Sequence, residues 1–255
     1  MAMRLFRVIV FGLIALANLS VFVLIGSGFN LFQFILCMLI VIPELVAFKN
    51  KKEIKYPKPL YVFATLFAAL IVGWFSCCIF GFGKMGIYSL KVKFADNAGY
   101  TANHFPQAIP EGAKLLDMGL LPTIMQGDGN VHATFSCDED TIAELEKKAS
   151  DRAIMTFTIK QYLDGDIPDE YYDMAKKILN EKLHFEDMEP DIRINASRII
   201  MDQQNIYYDH YGKQTNKELN EVMIYIIDSN FYWNHLRTDS VVVDRTQNII
   251  EYVGM

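Results

Sequence analysis

Glu44 is the first residue in this chain whose type and setting suggest chemistry. It follows Pro43 at the end of a long uncharged stretch. A carboxylate inside a hydrocarbon layer marks a proton or ion site, unless it sits near the surface where it can pair or reach water. Lys49, about one turn further on, offers that second role, and no second polar group is expected to accompany Glu44 in the other spans. The expectation is a peripheral carboxylate at the membrane face.

Cys137 is the second candidate, as a nucleophile. Ser136 and Glu139 have capping-box spacing, which would make Cys137 the first residue of a helix, where the dipole lowers a thiol's pKa. Asp138, Glu139 and Asp140 follow at once and act in the opposite direction. In the alternating run Val131–Cys137, the cysteine shares a face with Val131, Ala133 and Phe135. His132, the nearby base, shares the other face with Thr134 and Ser136. A thiol nucleophile needs its histidine within reach, so a buried structural cysteine is expected.

Two further candidates are less constrained. Asp128, in the Gln126–Gly129 loop, can pair with Glu139 in a cleft and so perform acid–base work. Trp233 stands beside Phe231 and Tyr232, and with Tyr207, Tyr208 and Tyr211 this aromatic set suits a binding surface, a core or a bilayer interface.

Other motifs carry little. Gly81-Phe-Gly83-Lys-Met-Gly86 spells a dinucleotide fingerprint, but that motif works only between a strand and a helix. Here it follows an apolar run and precedes Tyr88–Phe94, whose alternation reads as a strand, so a flexible exit from the membrane is expected. The five histidines (His104, His132, His184, His210, His235) lack metal-ligand spacing, and Glu186–Asp191 lacks the spacing and turn glycine of a calcium loop. No metal and no cofactor is expected. Asn195-Ala-Ser197 matters only in a eukaryotic secretory pathway.

The elements that must hold these residues divide the 255-residue chain in two. Up to Gly83 there are seven basic and two acidic residues, leaving seventeen and twenty-eight in the remainder. An acidic second part is repelled by nucleic acid, which is not an expected partner. Val8–Pro43 is uncharged and as one helix would measure about 54 Å, nearly twice a hydrocarbon core of about 30 Å. It must break at Gly26–Asn30, giving spans near 5–25 and 31–48. Leu60–Gly83 is also uncharged and supplies a third span near 60–82. Arg4, Arg7 and the lysine-rich loop 49–58 assign the amino terminus and that loop to the cytoplasm and the remainder to the outside. Ala15-Leu-Ala17 resembles a signal-peptide cleavage site, but the apolar run continues through Leu19–Ile25, so an uncleaved anchor is expected.

Residues 84–255 read as one α+β domain with a largely antiparallel sheet and two or three helices. Strands are expected at Tyr88–Phe94, Leu115–Leu121, Asn130–Cys137, Ala153–Lys160, Val222–Asp228, Ser240–Asp244 and Asn248–Val253. Helices are expected after Ser136, with Ile142, Leu145 and Ala149 inward, and after Pro168, with a weaker one near 192–201. The only soluble cysteine is Cys137, which excludes a disulfide-stapled module.

The turns Phe105-Pro106, Ile109-Pro110-Glu111-Gly112-Ala113, Pro122 and Gln126-Gly127, ahead of a strand and an acidic helix, resemble those of bacterial membrane proteins with an extracytoplasmic α+β domain, from low-GC Gram-positive genomes. The resemblance implies the topology and no activity. The expected function is a membrane-anchored extracytoplasmic binding or interaction module, whose partners are the lipid bilayer and another membrane or envelope protein. An envelope enzyme with a carboxylate or thiol site, and an assembly subunit of a membrane complex, are the alternatives.

Overall fold

A computed structural model describes residues 2–50, 81–122, 129–164, 221–232 and 235–254. The chain divides into two compact units, Met1–Phe94 with Gly119–Gly129, and Ala95–Met118 with Asn130–Met255.

The first unit is built on a helical hairpin. Helices α1 (Ala2–Ile25) and α2 (Gly28–Lys49) are joined at Gly26 and Ser27. The turn is tighter than expected, because α2 begins at Gly28 rather than at Leu31. Both helices are long and apolar enough to cross a membrane. Their packed seam contains Phe11, Ala15, Cys37, Ile40 and Val41, while Leu13, Leu16, Leu39 and Ile42 face outward. Exposed leucine and isoleucine on this scale suit a surrounding of lipid rather than water. All but the last two residues of the third expected span, 60–82, lie outside the described residues.

Polar groups also enter this seam. Asn30 donates from Nδ2 to Asn18 Oδ1 at 2.7 Å, joining α2 to α1. Such bonds are retained between apolar helices because no water competes for them.

The segment after Gly81 departs from expectation. Tyr88–Asn97 forms a helix, α3, and not a strand. Its alternation hid a helical stripe of Tyr88, Val92 and Ala95, all buried. Lys91, assigned by alternation to the polar face, is completely buried. Its Nζ donates to the Gly83 carbonyl at 2.5 Å and lies 5.2 Å from the Phe82 ring centre. Gly86 has φ +105° and abuts the backbone of Leu24 and Ile25, and the Ile87 amide donates to the Leu24 carbonyl at 2.8 Å. Of the glycines of the apparent dinucleotide fingerprint, Gly86 therefore serves close backbone approach to the hairpin turn, whereas Gly81, at φ +66°, lies against the backbone of Leu120.

The second unit contains a six-stranded sheet ordered β1-β2-β6-β5-β4-β3. The strands are β1 (Ala113–Leu121), β2 (Asn130–Cys137), β3 (Met155–Thr158), β4 (Val222–Tyr232), β5 (His235–Asp244) and β6 (Ile249–Gly254). From β2 across to β3 every pairing is antiparallel. The fold is α+β, as composition and pattern imply.

Helix α4 (Glu139–Arg152) follows β2 and packs on the sheet through Ile142, Leu145 and Ala149. Its cap is Asp138 rather than Ser136: Asp138 Oδ1 accepts the Thr141 amide at 2.7 Å. Strand β2 runs two residues further than the capping-box reading allows, since its ladder with β6 extends to Ser136. Strand β3 is shorter than expected and gives way to a short helix, α5 (Ile159–Asp164).

One sheet face buries Val131, Ala133, Phe135, Ile250 and Tyr252; the other buries Ile224, Val242, Val253 and Phe157. Burial on both sides explains why Val241-Val242-Val243 is a continuous apolar run without alternation. Between β5 and β6, Asp244 Oδ1 accepts the amides of Thr246 and Gln247, and Asn248 takes φ +53° to close the turn. The helices expected after Pro168 and near 192–201 lie outside the described residues.

Candidate functional site

In the second unit a cleft of about 520 Å³ opens between α4 and the irregular segment 103–111. That volume falls within the range of small-molecule sites. Each wall has a sequence cause. Pro106 and Pro110 keep the segment out of regular structure, and the Ala113 amide closes it by donating to the Pro110 carbonyl at 3.1 Å. Gly112, at φ +79°, lies against the Asp138 and Thr141 side chains, where any Cβ would collide. Thr141 Oγ1 donates to the Glu111 carbonyl at 2.9 Å, tying the segment to the first turn of α4. The floor is the sheet: Val241, Tyr252, and Ile227 at a register shift between Ile226 and Asp228. Such a bulge re-aims a side chain.

His104 is the most constrained polar group on the lining. It is 7% exposed, and its ring packs edge-on against Phe105 at 4.8 Å and beside Tyr252 at 6.2 Å. Nε2 lies 3.0 Å from the Val253 carbonyl oxygen, which can only accept. Nε2 therefore carries the proton and Nδ1 is the acceptor of a neutral ring. Burial holds the imidazole well below its ordinary range, at about 4, with the Arg152 charge acting in the same direction. Nδ1 is shielded from water and has no hydrogen-bond partner.

Charge is distributed unevenly along the cleft. Lys148 pairs with Glu144 at 2.5 Å across one helical turn. Arg152, on the last turn of α4, makes no ion pair or hydrogen bond among the described residues, and its field reaches both His104 and Tyr252. Glu111 stands at the opposite end, near the start of the helix. Burial pushes the Tyr252 hydroxyl upward, so at neutral pH it is a donor and not an anion.

A second polar group lies on the sheet face away from α4. His132 Nε2 is 3.3 Å from Asp117 Oδ2, and both side chains are accessible. Glu251 on β6 is buried beside them, opposite Thr134. Burial, and then the Asp117 charge, push its carboxyl up to about 7.

Among the described residues, those singled out from sequence do not converge. Glu44 is 1% exposed and pairs with Arg7 rather than Lys49, with Arg7 Nη2 at 2.7 Å and Nε at 2.8 Å from Oε1. It does not reach water, and α1 does supply it a charged partner, against expectation. Lys49 lies too far along α2, while the antiparallel hairpin brings the start of α1 alongside Glu44. Cys137 is buried at the end of β2 and is not a helical residue. Burial, helped by Asp138, pushes its thiol up to about 11. His132 lies on the opposite face from Cys137, as the alternation requires. Asp128 and Trp233 lie outside the described residues. No three His, Cys, Asp or Glu side chains among the described residues come close enough to share a metal ion.

Sequence reasoning missed His104 and Arg152. His104 stood in a stretch read only as proline-marked and irregular, and Arg152 looked like an ordinary cation at a helix end. The signal available was a histidine and an aromatic residue in a loop with two prolines, ahead of an amphipathic helix.

No protein-family model, curated protein or solved structure matches this chain.

Proposed function

We propose that this protein is a membrane-anchored extracytoplasmic binding module, and that the cleft between α4 and segment 103–111 receives its ligand. The observation that carries the reading is the cleft itself, which joins an apolar floor to a buried acceptor and a guanidinium that is unpaired among the described residues. Apolar surface combined with charged and hydrogen-bonding side chains in one concavity suits a ligand site.

The hairpin supports the orientation. Lys49 ends α2, while Ile87 is bonded to Leu24 at the turn, so the two lie at opposite ends of α2. A helix of 22 residues is about 33 Å long, close to a bilayer core. The chain between Asn50 and Gly81 connects those two ends, in keeping with a third crossing by the uncharged run 60–83. Arg4, Arg7 and the lysines of loop 49–58 then lie on the cytoplasmic side and residues 84–255 outside. The resemblance to Gram-positive membrane proteins points the same way.

The test has two arms. A cysteine introduced at Asn50 resists a membrane-impermeant thiol reagent in intact cells, whereas one at the exposed position Lys147 reacts; the reverse pattern rejects the orientation. A fragment collection screened against the full-length protein in nanodiscs perturbs the His104 ring resonances. Fragments that bind only elsewhere reject the cleft.

An enzymatic reading draws on the Asp117–His132 pair beside Glu251, since carboxyls tuned toward neutrality are suited to general acid–base work. It is favoured only if His132→Gln abolishes a turnover that Arg152→Gln leaves intact.

A further inference from the structure

We infer that the occupant of the cleft is a carboxylate-bearing molecule with an amide N–H or hydroxyl donor close to its carboxylate and an apolar group beyond it. The inference rests on the binding reading above and names the chemistry of that same site.

The donor requirement follows from the histidine tautomer. The Val253 carbonyl accepts from Nε2–H, so Nδ1 has only a lone pair to offer. A ligand acceptor, such as an ether or ester oxygen, would meet that lone pair repulsively. A ligand N–H or O–H would supply the partner that Nδ1 lacks in the free protein. Asn103 and Gln107, on the same lining as His104, are exposed.

The anion requirement follows from Arg152. Its guanidinium is a planar fork matched to a carboxylate, and no protein group described here occupies it. A phosphate monoester fits less well: among the described residues the lining has one uncommitted cation, and Glu111 and Glu144 add negative field that a dianion feels more strongly. The apolar requirement follows from Phe105, Leu145, Ala149, Ile227 and Val241, which offer carbon surface and no further hydrogen-bonding side chain. Small N-acylated amino acids and the carboxy-terminal residue of a peptide satisfy all three conditions.

The experiment uses full-length protein in nanodiscs, labelled with ¹³C,¹⁵N-histidine, and N-acetylphenylalanine as the probe. The free protein is expected to show a neutral Nε2–H ring for His104. The probe shifts its Nδ1 resonance in the direction of an accepted hydrogen bond. N-methylation of the probe's amide removes the donor and weakens binding by about ten-fold. The methyl ester is weaker by several-fold against the wild type but equal to the free acid against Arg152→Gln, which is exposed and should fold normally. Benzyl phosphate binds more weakly than the free acid. These comparisons alter the ligand or a surface residue, so they survive if His104 variants fail to fold.

Equal binding of the acid, the ester and the N-methyl compound overturns the ligand class and leaves the cleft standing. A neutral apolar compound such as indole shifting His104, with no effect of the acid at about 10 mM, does the same. If neither the acid nor indole perturbs His104, the ligand class and the cleft reading both fall.

Discussion

The Tyr225 hydroxyl on β4 donates to Glu146 Oε1 on α4 at 2.6 Å, joining helix to sheet across 79 positions of sequence. Arg245, in the turn after β5, donates from Nε to the other oxygen at 2.5 Å. Glu146 is buried yet bonded on both oxygens, which is the condition under which a charge is tolerated inside a fold. Since α4 forms one wall of the cleft, this carboxylate sets where that wall stands.

Tyr225→Phe removes one charge-assisted hydrogen bond and should cost about 1–3 kcal/mol. Glu146→Ala should cost more, because it strands the buried Tyr225 hydroxyl and releases Arg245. Denaturant unfolding of the full-length protein in detergent, followed by near-ultraviolet dichroism, measures both. Equal stability of Tyr225→Phe and the wild type would remove the tether from the account.

Two buried groups tilt stability in opposite directions with pH. Glu251 has its carboxyl raised to about 7 from 4.5, so the folded state holds a proton that the unfolded chain has lost. Its favourable contribution is complete below about pH 4.5 and disappears as pH rises to about 7. His104 is lowered to about 4 from 6.5, so its contribution is complete above about pH 6.5 and disappears as pH falls to about 4. Glu251→Gln should therefore be more stable than the wild type above pH 7. That advantage shrinks on acidification, leaving the variant with the steeper loss toward pH 4. Parallel stability profiles from pH 4 to 8 would show that Glu251 titrates normally.

Glu44 and Arg7 should behave as a unit. Arg7→Leu leaves a carboxylate that is 1% exposed without its cation, a change that costs about 3–5 kcal/mol for a buried pair. Glu44→Leu costs less, because Arg7 is partly exposed and can turn toward headgroups. The double replacement should recover most of the loss. Thermal aggregation of the four proteins in one mild detergent gives the order. Additive losses in the double variant would mean that the two charges act separately.

Cys137 should label slowly with a thiol reagent between pH 5 and 9 and rapidly only on unfolding, since it is buried and its thiol is pushed up to about 11. Cys137→Ala should cost about 1–2 kcal/mol through lost packing. The labelling is done in a Cys37, Cys77, Cys78 triple-alanine background, so that only one thiol reports. Fast labelling at pH 6 would make the cysteine a reactive site.

The sequence by itself determined what depends on a residue and its near neighbours. The limits of β2, the inward phase of Val131, Ala133 and Phe135, the inward stripe of α4 and the break near Gly26 were all legible. Side-chain direction in a strand or helix repeats locally, so hydrophobic periodicity reports burial directly. Tertiary structure decided what depends on distant partners. Tyr88–Asn97 satisfies both periods, and its helix is chosen because Lys91 can reach the Gly83 carbonyl and the Phe82 ring. Glu44 finds Arg7 because antiparallel helices bring together residues 37 positions apart. His104 becomes a buried acceptor only because β6 presents the Val253 carbonyl to its other nitrogen, 149 positions along the chain. No local pattern encodes such a pairing: the energy of a long-range hydrogen bond depends on where the whole fold delivers its partner.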